Sequence, residues 1–250
     1  MTKQEWENCF NNWRQPLSAT EETKCGNAER MVKEALKASS DLSKWSLEVF
    51  LQGSYRNNTN VKTESDIDIC VKFNESFFYT LPDGYVKESF GISDALPPKP
   101  TYKEYRQQVV NALNDKFGSQ NVVPGNKAIV VTENTYRIHA DVVACFEHRR
   151  YDASGNYVSG IEFTTTSGTQ VTNFPVQHIE SGTKKNNDSG HQYKRVARIL
   201  KTINVESDGK NGYKKLPSFF IECLAWNIPN NILSLFRVCS RGGFCVAKAR

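Results

Sequence analysis

The sequence predicts an α/β (α+β) protein: a mixed β-sheet backed by helices, joined to a smaller helical lobe, with a cleft between the two. Three patterns carry this expectation. A long amphipathic helix leads into a strand; two apolar strands carry acids on alternate positions; and a polar stretch near residue 180 separates them from a region of helical period. We place the core, with its long N-terminal helix, at residues 1–180 and the helical lobe at 181–250.

From Ala19 to Leu42, apolar residues Ala28, Met31, Val32, Ala35 and Leu36 recur at helical spacing, with Ser18 or Thr20 as candidate N-cap. The segment Trp45 to Leu51 alternates Leu47, Val49 and Leu51 with Ser46, Glu48 and Phe50, then turns at Gly53. Residues 55–65 are polar and turn-rich, and Asp66 to Phe73 forms a second strand, in which Ile67, Ile69 and Val71 alternate with Asp66, Asp68 and Cys70. The Pro- and Gly-bearing stretch 80–101 reads as a loop before a helix from Tyr102 to Phe117, ended by Gly118. Lys127 to Thr132 and Tyr136 to Phe146 extend the sheet, and Tyr151 to Pro175 holds short β-like pieces. The polar stretch Ser181 to Gly190, flanked by His178 and His191, reads as a surface loop, with a lid as the sharper alternative. Beyond it, His191 to Asn204 and Phe219 to Trp226 read as helices, the first with Val196, Ile199, Leu200 and Ile203 on its apolar face and Lys194, Arg195, Arg198 and Lys201 elsewhere.

Composition narrows the class less than the motifs do. With 38% hydrophobic residues, 14 Phe and 10 Tyr in 250 residues, the chain has material for a sizeable core. A net charge of +5 suits an anionic ligand without demanding one. The seven cysteines are odd in number and form no CxxC pair, so they read as reduced thiols. The polar N-terminus is no signal peptide and no apolar run approaches the roughly 18 residues of a membrane span, so a cytoplasmic protein with no membrane partner is expected.

The chemistry lies in a strand ending at Gly53-Ser54, followed by Asp66-Ile67-Asp68. Side chains two apart on a strand share a face, so these aspartates bring two carboxylates together. Alone they would repel until one protonated. A divalent cation removes that penalty, and Mg²⁺ characteristically takes one or two carboxylates plus phosphate oxygens. A glycine at a strand end admits a phosphate close to the backbone, while the Ser54 hydroxyl and following amides donate to it. Two-metal phosphoryl transfer wants a further carboxylate, for which Asp141 in HADVVA is the best candidate, with Glu147 and Asp152 in reserve. His139 shares the face of Asp141 and reads as a hydrogen-bonding neighbour rather than a catalyst; Tyr55 either stacks or packs.

LQGSY, SDIDICV and HADVV resemble the GS…DxD…D signature of the DNA polymerase β nucleotidyltransferase superfamily. More closely, from about Leu51 to Asn230, the chain resembles bacterial cyclic-oligonucleotide synthases related to the cholera dinucleotide cyclase and animal cyclic GMP-AMP synthase, through NFPVQHIESGTKKN, YKRVARILK and LPSFFIECLAWNIPN. The resemblance implies a palm-like sheet, two Mg²⁺ ions on Asp66, Asp68 and Asp141, and triphosphate contacts from Lys201 and Ser218 in the helical lobe. Lys201 is expected as a mobile point charge. Ser218 follows Pro217 near a helix start, where free amides also suit phosphate and a simple N-cap is the alternative. The resemblance further implies NTP substrates, a cyclic di- or trinucleotide product, a separate effector that binds it, anti-phage signalling, and no stable nucleic-acid complex. Such enzymes continue through further helices after the segment matching Phe219 to Asn230, whereas FRVCSRGGFCVAKAR shows no helical period, so a helical lobe shortened at its C-terminus is expected. Two rivals stay open: a nucleotidyltransferase that modifies an RNA end, a protein or a small molecule, and a catalytically inactive nucleotide- or nucleic-acid-binding module.

Overall fold

The computed structural model describes residues 2–62, 66–93 and 100–236; the tail at 237–250 and part of the Pro-rich loop before the residue-102 helix lie outside them. Chain contacts divide the molecule into two compact units, one of residues 20–52 and 66–176, the other of residues 1–19, 53–65 and 177–250. The N-terminal segment and the turn after Gly53 therefore group with the C-terminal helices rather than with the sheet.

The first unit is a seven-stranded sheet: β1 (Leu47–Gln52), β2 (Ile67–Thr80), β3 (Val122–Pro124), β4 (Ile129–Val131), β5 (Ala140–Tyr151), β6 (Tyr157–Thr164) and β7 (Gln170–Asn173). The order is β1-β2-β5-β4-β3, with β6 pairing the far half of β5 and β7 pairing β6. Among the described residues only β2 and β5 run parallel, and every other pair is antiparallel. Both central strands read as near-continuous buried runs, Ile67, Ile69, Cys70, Val71 and Phe73 on one and residues 142–146 on the other, as strands with cover on two sides must. β2 outruns the expected strand by seven residues because a register irregularity between Phe73 and Phe77 lets it keep pairing with β5 as far as Thr80. β5 starts later than expected, since the Asn134 side chain accepts from the amides of Tyr136 and Arg137 and closes a turn there.

Among the described residues two long α-helices belong to this unit. The first helix to be placed in it, Ala19–Ala38, buries Cys25, Ala28, Val32, Ala35 and Leu36 at helical spacing, and the second, Tyr102–Phe117, buries Tyr105, Val109, Val110, Leu113 and Phe117. The second is delimited as the sequence predicts. Thr101 and Glu104 form a reciprocal capping box, and Gly118 leaves the helix at φ 82°, where a side chain would be strained. Its Tyr105 hydroxyl donates to the Val71 carbonyl at 2.8 Å, and its ring joins Phe73 and Phe146 in an aromatic core.

The second unit is helical. In chain order the α-helices among the described residues are α1 (Lys3–Trp13), α2 (Ala19–Ala38), α3 (Gly53–Arg56), α4 (Tyr102–Phe117), α5 (Pro175–Asp188), α6 (Tyr193–Glu206), α7 (Ser218–Asn227) and α8 (Asn230–Leu233). α1 is absent from the sequence expectations, although Thr2 and Glu5 cap it reciprocally and Trp6, Phe10 and Trp13 form a ring cluster along it. It is anchored where Arg198 of α6 donates from Nε to the Arg14 carbonyl at 2.7 Å. Tyr193, Val196 and Ala197 of α6 pack with Ala225 and Leu233 as the unit's core.

The polar stretch Ser181–Gly190 is a helix over most of its length, which corrects the loop and lid readings. Pro175 stands at the first helical position, where its fixed φ and missing amide cost nothing. Gly182 lets α5 approach closely: a Cβ there would lie 2.6 Å from Oδ1 and 2.9 Å from Nδ2 of the fully buried Asn57. Gly182→Ala is therefore expected to destabilise the protein by about 1–3 kcal/mol, read as a lowered thermal midpoint, despite the better helix propensity of alanine. Among the described residues no helix is long and apolar enough to cross a membrane.

Candidate functional site

In the sheet unit the residues Gln52, Asp68, Asp141 and Val130 are successive register partners across β1, β2, β5 and β4. Asp68 and Asp141 are thus direct neighbours on the two parallel strands, both half-buried. Asp66 stands just before β2 and is exposed; the adjacent Ile67 amide donates to the His139 carbonyl at 3.1 Å, fixing the start of the strand. Burial and then the charge of Asp66 push the Asp141 carboxyl above its ordinary range, against the opposing influence of His139. Neighbouring carboxylates in this state favour a cation. Among the described residues no three His, Cys, Asp or Glu side chains stand closely enough to hold a metal as they are. The side chains of Asp66, Asp68 and Asp141 offer carboxylate oxygens alone, the donor chemistry Mg²⁺ prefers.

The two reserve acids have structural work. Glu147 accepts from Arg149 and Ser159, and Asp152 closes a turn through the amides of Ser154 and Asn156. His139 accepts a long contact from the Glu133 amide on Nδ1, at 3.4 Å.

The residue after Gln52 is Gly53, which opens α3 at φ 67°. Only glycine enters this left-handed conformation without strain, so the strand can turn abruptly into one helical turn carrying Ser54. That turn is closed by Asn57 N to Gly53 O at 3.1 Å and Thr59 N to Ser54 O at 2.9 Å. Ser218 is the first residue of α7, half-buried, with Pro217 in the cap position, so its hydroxyl is not the N-cap.

Lys201 departs from expectation. It is 1% exposed, donating to Glu222 Oε1 at 2.5 Å and to Thr59 Oγ1 at 3.4 Å. It is a buried ion-pair member, not a mobile surface charge, because α7 delivers a carboxylate to its side of α6. Arg198, also expected on the polar face, is 5% exposed and donates from Nη1 to the Asn58 carbonyl at 2.6 Å. Burial, and then Arg195, lower its guanidinium to about 10.

Glu222 is the residue that sequence reasoning missed. Its Oε1 accepts from Lys201 and Thr59 Oγ1 (2.7 Å), and its Oε2 from Asn57 Nδ2 and His178 Nε2 (both 2.9 Å). Burial pushes its carboxyl up, but the hydrogen bond from His178, the charge and hydrogen bond of Lys201 and the Thr59 hydroxyl outweigh this and hold it at about 2. A signal was present: a lone acid inside the apolar run FFIECLAW is either paired or out of place.

A mixed sheet that sets two aspartates in register on parallel central strands, entered through a Gly-Ser turn, defines a nucleotidyltransferase with the polymerase β-like fold. Residues 32–123 match the model of the nucleotidyltransferase domain, and residues 180–240 that of the cGAS/DncV-like nucleotidyltransferase C-terminal helical domain. A cyclic dipyrimidine nucleotide synthase CdnE of Cecembia lonarensis is 43% identical over 230 residues, 91% of this chain and 77% of the relative. The solved Rhodothermus marinus CdnE c-UMP-AMP synthase aligns with a TM-score of 0.76 at 29% identity, covering 92% of this chain and 79% of that one. The Elizabethkingia meningoseptica CdnE cyclic dinucleotide synthase aligns with a TM-score of 0.72 at 33% identity, covering 93% and 78%. The chain belongs to the cGAS/DncV-like nucleotidyltransferase family.

Proposed function

We propose that this enzyme joins two nucleoside triphosphates into a cyclic dinucleotide, with Asp66, Asp68 and Asp141 as Mg²⁺ ligands and Gly53, Ser54 and Ser218 holding the triphosphate. The observation that carries the reading is the register pairing of Asp68 with Asp141 on parallel neighbouring strands, beside a strand that runs straight into Gly53-Ser54. Mg²⁺ bound to these carboxylates would supply charge neutralisation for the triphosphate and the leaving pyrophosphate. The Gly53 turn admits phosphate oxygens close to the backbone, and the Ser54 hydroxyl donates to them. A ribose hydroxyl of the second nucleotide gives up its proton to solvent and forms a bond to the α-phosphorus as the bond to the bridging oxygen of pyrophosphate breaks, and a second such step closes the ring. Positioning of the two nucleotides supplies much of the rate.

The cyclic product is supported by relatives that bear cyclic-nucleotide synthase names, two of them named cyclic dipyrimidine nucleotide synthase. We further propose that the product acts in the cytoplasm as a second messenger on a separate effector in anti-phage defence. The expected result is a phosphatase-resistant cyclic product from radiolabelled NTPs and Mg²⁺ with no added acceptor, UTP and CTP being tried first. Incorporation only when an RNA, protein or small-molecule acceptor is added would replace cyclisation by acceptor modification.

A further inference from the structure

We propose that Glu222 is a positioning residue for the Gly53-Ser54 turn: its buried carboxylate, acting through Thr59 and Asn57, sets the turn's geometry and thereby the affinity for the NTP. The proposal rests on the reading of that turn as the triphosphate cradle.

α3 is a single turn of helix, too short to hold its own shape. Its backbone must therefore be fixed by neighbouring chain, and residues 57–60 are built for that. Asn57 and Thr59 are 0% exposed and Asn60 3%, an unusual fate for polar side chains in a loop. Each of the first two has a definite use. The Thr59 amide holds the Ser54 carbonyl while its hydroxyl donates to Glu222, and the Asn57 amide holds the Gly53 carbonyl while its side chain donates to the other Glu222 oxygen. The carbonyls of both cradle residues are thus one residue away from the same carboxylate. Arg198 braces the intervening Asn58 carbonyl, and Gly182 of α5 presses on Asn57.

Glu222 is suited to be the anchor because every lone pair it directs inward is engaged. Lys201 balances its charge and His178, whose ring edge meets Phe219 with 4.9 Å between centroids, supplies the donor on the side nearer solvent. A well-packed apolar residue at 222 would serve stability as well as a buried ion pair does, but it could not orient two loop donors at once. On this account Lys201 acts on the cradle through Glu222 and Thr59.

Thr59→Val tests the link, since it keeps the shape of the side chain and leaves the Lys201–Glu222 pair in place. Binding of ATP, GTP, CTP and UTP with Mg²⁺ to the full chain is measured by calorimetric titration, beside steady-state kinetics and the thermal midpoint. The expected result is about tenfold or more loss in affinity and a raised KM, with kcat at saturation changed less than threefold. Thr59→Ser, which restores the hydroxyl, should return affinity to within about threefold of the parent. If Thr59→Val does not fold, Asn57→Ala cuts the other link and is read the same way, well below its thermal midpoint. Unchanged affinity in a folded Thr59→Val protein, or equal losses in the Val and Ser variants, would overturn the positioning role while leaving the proposed reaction standing. Failure of the parent chain to bind any of the four NTPs would overturn the cradle, and the positioning role with it.

Discussion

Asp68→Asn is expected to lower nucleotidyl transfer by roughly a thousandfold, equivalent to about 4 kcal/mol of transition-state stabilisation, with the thermal midpoint of the metal-free protein nearly unchanged. Asn keeps the shape and one acceptor of Asp but loses the charge, and the charge is what a hard divalent cation requires. Asp68 is held by strand pairing on both sides, to Gln52 and Asp141, so backbone geometry does not depend on its ionisation. Asp66→Asn should behave alike. Asp141→Asn should lose activity too, yet melt no lower than the parent at pH 7. Its folded carboxyl is raised above the ordinary 3.8 by burial and by Asp66. A raised acid opposes folding once the pH passes its ordinary value, so removing the ionisable group relieves that cost. Pyrophosphate release and thermal melts without Mg²⁺ measure both effects. A tenth or more of parental activity in folded Asp68→Asn would remove this aspartate from the proposed metal site.

The sheet acids were legible because a strand's signal is local. Alternation over Asp66 to Phe73 fixes which residues share a face, and a pair of such strands brings their acids into line. α4 was legible for a related reason: Thr101, Glu104 and Gly118 mark its ends within a turn of the helix they bound. α1 carried the same kind of mark in Thr2 and Glu5, obscured by a largely polar helix. α5 was hidden differently. Its run SGTKKNND has poor helix formers and no apolar period, and what seats it is Gly182 against Asn57, far away in the chain. Lys201 shows the limit most clearly. On α6 alone it belongs with the other cations, and only a partner on α7 explains its burial. The bond from Thr59 to Glu222 joins residues 163 positions apart, and no window of sequence reports such a pairing.

Lys201→Met is the second large expected effect: a loss of about 3–5 kcal/mol in stability, because Glu222 is left charged and buried without its cation. Glu222→Gln added to Lys201→Met should recover part of that loss, since no ionised group then remains without a counter-charge, and the double-mutant cycle should give a coupling of about 1–3 kcal/mol. Simple additivity would mean that Lys201 and Glu222 do not act as a pair. Acidification separates the two forms further. In the parent, the Glu222 carboxyl sits at about 2 when folded against an ordinary 4.5, so its contribution is full above pH 4.5 and is lost as the pH falls from there towards 2. With Lys201 gone, burial is no longer outweighed to the same extent and the folded carboxyl moves up. If it passes the ordinary value, the sign of the linkage reverses, and protonation at low pH then favours the folded variant. The stability gap between parent and Lys201→Met should therefore be widest near neutrality and narrow as the pH is lowered through 4.5, measured by urea denaturation at each pH. A gap that stays constant from about pH 7 to about pH 3 would place the origin of the loss in packing around the lysine stem rather than in the charge it brings to Glu222.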